Sequence, residues 1–424
     1  MPGHKGVGPL GFEQLDLTEI AGADDLYHPT GIIAESEANA SALFGCQTIY
    51  STEGSSHCIR AMVMLACQYA KELGKRPLIA AGRNIHKTFL SAAALMNADV
   101  FWLCPKEPDS YLSCKLTAEE VDEALFAMEE KPVAVYLTSP DYLGNISDIR
   151  GIGSVCRRHG VLLMVDNAHG AYLRFLPKSV HPMDLGADLC CDSAHKTLPV
   201  ITGGAYLHIS PRAPALLGEQ ARDALAMFGS TSPSYLILQS LDAANQYLAE
   251  GYREQLAGFI QAVSETKIRL TDIGYRLCGD EALKITLSTK PYGYEGTAFA
   301  GLLAEQGLVC EFADPDFVVL MVSPENSITG LKRLEGVLGS IPSLSPVDDA
   351  PPEFHCPRKV MSIRTAAAAP SEIIPVSASL GRVLARASVG CPPAVPIVSC
   401  GEEIDERALR CFAYYGIERC TVVK

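Results

Sequence analysis

Apolar and polar positions alternate along the first two-thirds of the chain in two rhythms. "CIRAMVMLACQYAKELG", Cys58 to Gly74, puts Ile59, Met62, Val63, Ala66 and Ala70 on one helical face and stops at a glycine. "RPLIAAG" reads as a strand, "SAAALMNA" as a helix and "DVFWLCP" as a strand. "LTAEEVDEALFAMEEK" opens with a capping box, Thr117 to Glu120, and predicts a helix. "PVAVYLTSP", "VLLMVDNAHG", "ADLCCDSAHK" and "GGAYLHIS" are strands, with the helical "IRGIGSVCRRHG" before the second. Strands this apolar are covered on both faces, so the pattern predicts an α/β fold around a mostly parallel sheet. A long helix is expected over about Leu236 to Thr271, then a second α/β unit to about Leu338. Gly339 to Pro357 is rich in Pro and Ser and reads as a linker, and Arg358 to Lys424 as a small mixed module. The expected domains are 1–250 (large), 251–345 (small α/β) and 346–424 (C-terminal α+β).

Composition narrows the function classes. With 424 residues, 48% hydrophobic and 20% charged, the chain is an ordinary globular one. A net charge of −14 argues against nucleic acid and anionic membranes as partners and suits a cationic small molecule. No apolar run approaches the roughly 20 residues of a membrane span. The first residues lack the apolar core of a signal peptide, so a cytoplasmic location is expected. The 15 cysteines form no CxxC pair and read as reduced, mostly buried thiols. His355 and Cys356 make at most half a metal site, and no metal is expected.

Three stretches carry candidate chemistry. "STEGSSH", Ser51 to His57, puts Gly54, Ser55 and Ser56 where a helix begins, a place suited to phosphate. On its own an ordinary helix cap is the plainer reading of that stretch. "VLLMVDNAHG" ends a strand on Asp166, with Ala168 and His169 beyond; a loop-capping Asp is its bland counterpart. "CDSAHKTLPVITGG" puts Ser193, His195 and Lys196 after the next strand, where a solvated lysine is the ordinary alternative. Together they describe one cofactor. Pyridoxal phosphate requires a lysine for its aldehyde, an acid for its ring nitrogen and a phosphate cradle.

With these motifs the chain resembles the Orn/Lys/Arg decarboxylase family of fold type I pyridoxal-phosphate enzymes. The resemblance runs through "PGHKG", "DDLYHPTGIIAESE", "STEGSS", "RNIHK", "DNAHGAY", "DSAHKTLP", "STSPSYLILQSLDAA" and "APSEIIPV", and so covers nearly the whole chain. It implies decarboxylation of arginine, lysine or ornithine to an amine that feeds polyamine metabolism. It also implies a homodimer or an assembly of dimers. Lys196 then matches the Schiff-base lysine, Asp166 the partner of the ring nitrogen, His86 the stacking histidine and Ala168 the small residue on the opposite face. Ser55, Ser56, Ser193 and His195 match phosphate contacts, and Thr231 and Ser232 a segment that reaches the partner subunit's site. His169 and Gly54 complete the expected cofactor set.

The chain starts at "PGHKG", where family members commonly carry a preceding segment, and it reads as the short form without a receiver-like domain. The family's "TNGS" is "TEGS" here, so Glu53 either points away from the phosphate or weakens it. For the substrate's distal cation, Glu402 or Glu403 in "CGEEID" is the candidate, with a solvated acidic turn as the plainer reading. The competing activity is an aminotransferase or aldolase-type lyase, for which Arg364 offers a carboxylate clamp. A catalytically silent binding protein is the alternative of a different class, and an intact Asp166 and Lys196 argue against it.

Overall fold

The computed structural model describes residues 2–106, 110–386 and 393–424. Seven strands form the large sheet: β1 (Gln47–Ser51), β2 (Leu78–Gly82), β3 (Asp99–Leu103), β4 (Ala134–Thr138), β5 (Leu162–Asp166), β6 (Leu189–Asp192) and β7 (Ala205–Ile209). Their order is β1-β7-β6-β5-β4-β2-β3. The β4/β5 and β5/β6 pairs are parallel, whereas β7 runs antiparallel to both β6 and β1. Every residue of β2, β5, β6 and β7 is buried, which is why these strands read as unbroken apolar runs.

The chain forms two compact units. One comprises residues 1–80, 121–139 and 148–254, and the other 81–120, 140–147 and 255–424. The second holds two smaller sheets. In the first of these, β8 (Arg276–Cys278), β9 (Lys284–Ser288), β10 (Phe312–Ala313) and β11 (Phe317–Met321) are arranged β10-β11-β9-β8. In the other, β12 (Ser371–Pro375), β13 (Leu384–Arg386) and β14 (Arg419–Val423) are arranged β12-β14-β13. One apolar cluster that includes Leu112, Phe312, Val319, Ile397, Phe412 and Val422 joins these elements within the unit.

The expected elements are met with local differences. Thr117 and Glu120 make both hydrogen bonds of the capping box, Glu120 N to Thr117 Oγ1 at 3.1 Å and Thr117 N to Glu120 Oε2 at 2.8 Å. The single long helix expected from Leu236 is two helices, Tyr235–Ala249 and Tyr252–Ile273. Gly251, at φ +81°, takes the left-handed conformation that ends the first. The strand expected to run to Lys196 ends at Asp192, and Ala194–Thr197 is a helical turn. The uniformly reduced state expected of the thiols gives way at one pair. Cys356 is bonded to Cys104, with Cα atoms 7.5 Å apart, and His355 instead meets Asp405 at 2.8 Å. Two cysteines separated by 252 residues carry no local signal of pairing.

Candidate active site

The parallel register sets the centre of the site. Asp166, the last residue of β5, lies beside Cys191 of β6, and the chain then continues through Asp192 and Ser193 to Lys196. Asp166 is only 2% exposed. Its Oδ1 accepts from Ala168 N at 3.2 Å and its Oδ2 from the Tyr136 hydroxyl at 3.3 Å. Burial pushes its carboxyl up, and the positive charge of Lys196 draws it back towards the ionised form. Lys196 Nζ lies 3.0 Å from His169 Nε2, so the two share a proton. Ala168, also buried, puts only a methyl group between Asp166 and His169.

The phosphate motif forms the start of the Gly54–Glu72 helix. Gly54 has φ +72°, and a Cβ built there meets only His195 Cε1, at 4.0 Å. The space over this helix N-terminus is therefore open. Ser193 Oγ donates to Ser55 Oγ at 2.8 Å, which joins the two hydroxyl-bearing loops, and Ser56 lies in the same first turn. His195 Nδ1 donates to Gly204 O at 3.0 Å. The Glu53 carboxylate accepts from Ser230 N at 2.6 Å. It is thus committed to the segment that carries Thr231 and Ser232, both exposed.

Beneath these loops lies a polar network that the motifs did not reveal. Asp192, fully buried, accepts from His181 Nε2 at 3.0 Å, His208 Nε2 at 3.1 Å and Asn167 Nδ2 at 2.7 Å. His181 Nδ1 accepts from Met183 N, which leaves its proton on Nε2, facing Asp192. Thr48 Oγ1 donates to Cys46 O and lies 3.0 Å from His208 Nδ1. Its lone pairs can then accept a second imidazole N–H when His208 is protonated. The directions agree: Asp192 and the two histidines outweigh burial, so Asp192 is held below the carboxylate range and His208 is raised by Asp192. The one available signal was a histidine inside the apolar strand "GGAYLHIS".

The second unit holds the other candidates. His86 caps the Lys87–Met96 helix, its Nδ1 accepting from Thr88 N at 3.2 Å, so its proton is on Nε2. Glu402 is not an open receptor for a cation, contrary to expectation. Its Oε2 takes Arg83 Nη2 at 2.7 Å and Ser399 N at 2.7 Å, and Glu402 and Arg83 are each 1% exposed. Glu403 is likewise engaged, by Arg358 at 3.1 Å. Arg364 donates to Ala94 O and Leu95 O at 3.4 and 3.1 Å, and so closes a helix end instead of forming a carboxylate clamp. Sequence spacing named these acids and this arginine as polar groups but hid their distant side-chain and carbonyl partners Arg83, Arg358 and Ala94, which lie 45 to 319 residues away.

This donor set fits pyridoxal phosphate. There is a lysine beside a proton acceptor, a buried acid at the neighbouring strand end, and hydroxyls over an open helix N-terminus. Fold and site together define a pyridoxal-phosphate-dependent enzyme of fold type I. Residues 12–274 match the family described as Orn/Lys/Arg decarboxylase, major domain. The chain belongs to that family and is a pyridoxal-phosphate-dependent amino-acid decarboxylase. It is 30% identical to an arginine decarboxylase of Halalkalibacterium halodurans over 445 aligned positions, covering 96% of this chain and 88% of that protein. It is 29% identical to the Bacillus subtilis arginine decarboxylase, with 96% and 88% covered. The constitutive lysine decarboxylase of E. coli shares the fold, with a TM-score of 0.77 at 18% identity over 100% of this chain and 79% of that one. A Sphingomonas wittichii serine palmitoyltransferase aligns with a TM-score of 0.57 at 16% identity over 73% and 75%.

Proposed function

We propose that the protein decarboxylates a basic amino acid, with arginine as the substrate, and releases the amine and CO2 for polyamine synthesis. The observation that carries the reading is the Lys196–His169 contact at 3.0 Å beside the buried Asp166. The arginine decarboxylase relatives favour arginine over lysine and ornithine. Lys196 would hold the cofactor aldehyde, Asp166 its ring nitrogen, and Gly54, Ser55, Ser56, Ser193 and His195 its phosphate. His86 and Ala168 would flank the ring. Bound pyridoxal phosphate supplies an electron sink for the pair left behind when the carboxylate departs. The protein's share is electrostatic and protonic. Asp166 stays anionic only beside a positive partner, because burial otherwise neutralises it. His169 Nε2 takes a proton from Lys196 or returns one, which sets Lys196 to act as nucleophile and then as acid. A cytoplasmic homodimer or assembly of dimers, with Thr231 and Ser232 reaching the partner's site, belongs to the same proposal. Among the described residues no helix is long and apolar enough to cross a membrane.

The test is an assay of arginine, lysine and ornithine for CO2 and for amine. Agmatine from arginine with stoichiometric CO2 is expected. A keto acid without CO2 would instead establish a transaminase, and the engagement of Arg364 with backbone carbonyls speaks against that outcome.

A further inference from the structure

A cavity of about 430 Å³ lies wholly within the unit that contains the C-terminal module. That is the size of a small-molecule site. Its walls are mainly aromatic and apolar: Tyr111, Phe312, Ile397, Tyr414 and Tyr415 among others, with Asp314 as the one acid among the described residues. Among the described residues no lysine, arginine or histidine lines it.

Asp314 is 5% exposed. Its Oδ1 closes the turn between β10 and β11 by accepting from Asp316 N and Phe317 N, both at 2.8 Å. Its Oδ2 is buried and has no hydrogen-bond partner among the described residues. The neighbouring lysine does not serve it. Lys290 Nζ is paired with Asp316 Oδ1 at 3.0 Å and also bonds Asp349 O and the Tyr414 hydroxyl. The rings of Tyr111 and Tyr415 lie 4.5 Å apart in the wall of the same cavity. Both phenols are kept protonated by burial and by the nearby Asp314 and Asp316. A buried carboxylate oxygen without a donor is costly, and aromatic faces attract cations. An anion would find no counter-charge here, and a neutral guest would leave Asp314 as it is.

We propose that this cavity binds a small organic cation, a protonated alkylamine or guanidinium, with the Asp314 carboxylate in the cavity wall as counter-ion and the rings of Tyr111 and Tyr415 around the charged group. The choice of cation rests on the decarboxylase reading, whose substrate and product both carry such a group. Burial raises the Asp314 carboxyl to about 7, and a bound cation would draw it back down.

The experiment is calorimetric titration of the holoenzyme with 1,4-diaminobutane and with agmatine, in wild type, Asp314→Asn and Tyr415→Phe. Asp314→Asn keeps the Oδ1 acceptor of the turn, and Tyr415→Phe removes a single hydroxyl should the first variant fold poorly. Affinity should fall at least about tenfold in Asp314→Asn, as expected when a charge-assisted bond is lost. It should fall less in Tyr415→Phe. If kcat and KM for arginine stay unchanged, the ligand is a free amine at a separate site. If KM rises tenfold at constant kcat, the ligand is the far end of the substrate. Amine affinity within twofold of wild type in both variants, or no amine binding to wild type at millimolar concentration, would overturn the proposal. Failure of the decarboxylase reading would show separately, as absence of CO2 from all three amino acids while amine binding still depends on Asp314.

Discussion

In the proposed mechanism Lys196 and Asp166 divide the chemistry, and each makes its own prediction. Lys196→Ala should fold, bind cofactor weakly and lose both turnover and the visible absorbance of lysine-bound cofactor. Borohydride should fix the cofactor on the Lys196 peptide of wild type, and label on another lysine would refute the assignment. Asp166→Asn keeps the shape but removes the charge, so kcat should fall by roughly two to three orders of magnitude with cofactor retained. Asp192 makes a different prediction, about pH. Its folded pKa is depressed, so its contribution is present above the ordinary carboxylate value of about 4 and is lost as pH falls below it. The His208 pKa is raised, so its contribution is full below about 6.5 and is lost as pH rises through the folded value. Asp192→Asn leaves a buried imidazolium unpaired and should cost about 3–5 kcal/mol. The deficit, followed by thermal melting against pH, should be largest between about pH 4 and 6.5 and shrink towards alkaline pH. Lys196 and Asp166 were legible because each follows a strand in a short motif. Asp192 was not, because its partners His181 and His208 come from other elements of the unit.

Elements were read well where their own residues decide them. The Thr117–Glu120 box and the all-apolar β5 and β6 follow from local chemistry. The break at Gly251 was missed because a glycine inside a periodic run looks tolerable until its φ of +81° is known. Glu402 was misread for a related reason. A Gly-containing turn before two acids looks solvated, yet the turn folds Glu402 onto the arginine that precedes the His86 helix. Glu402→Gln should therefore act on stability, not on substrate affinity. A loss of about 3–5 kcal/mol in denaturant unfolding is expected, because Arg83 would remain buried without its anion. Unchanged stability with a raised KM for arginine would restore the original substrate-binding role.

For the whole molecule, alternating strands and helices announced the fold class, but the composition of the second unit was invisible in the pattern. Residues 81–120 and 140–147 read as part of the large domain, yet they cluster with 255–424. The apolar cluster shows why: Tyr111, Leu112 and Leu143 are packed with Val395, Phe412 and Val422. A periodicity reports that a face is buried but not which distant segment buries it.

The Arg83–Glu402 pair has a consequence for how the chain is made. The two residues lie 319 positions apart. At ribosomal rates of about 5–20 residues per second, Glu402 follows Arg83 by roughly 16–64 s. The unit ending at residue 254 has all its strands well before that, whereas the segment bearing Arg83 and His86 must wait for the turn that carries Glu402. During that interval the nascent chain carries a guanidinium destined for the interior, exposed along with the apolar surface around it. A stalled or prematurely released chain would keep Lys196 and Asp166 but present that surface to chaperones and proteases. Synthesis of the turn that carries Glu402 thus becomes the event that lets this segment be buried with its charge paired.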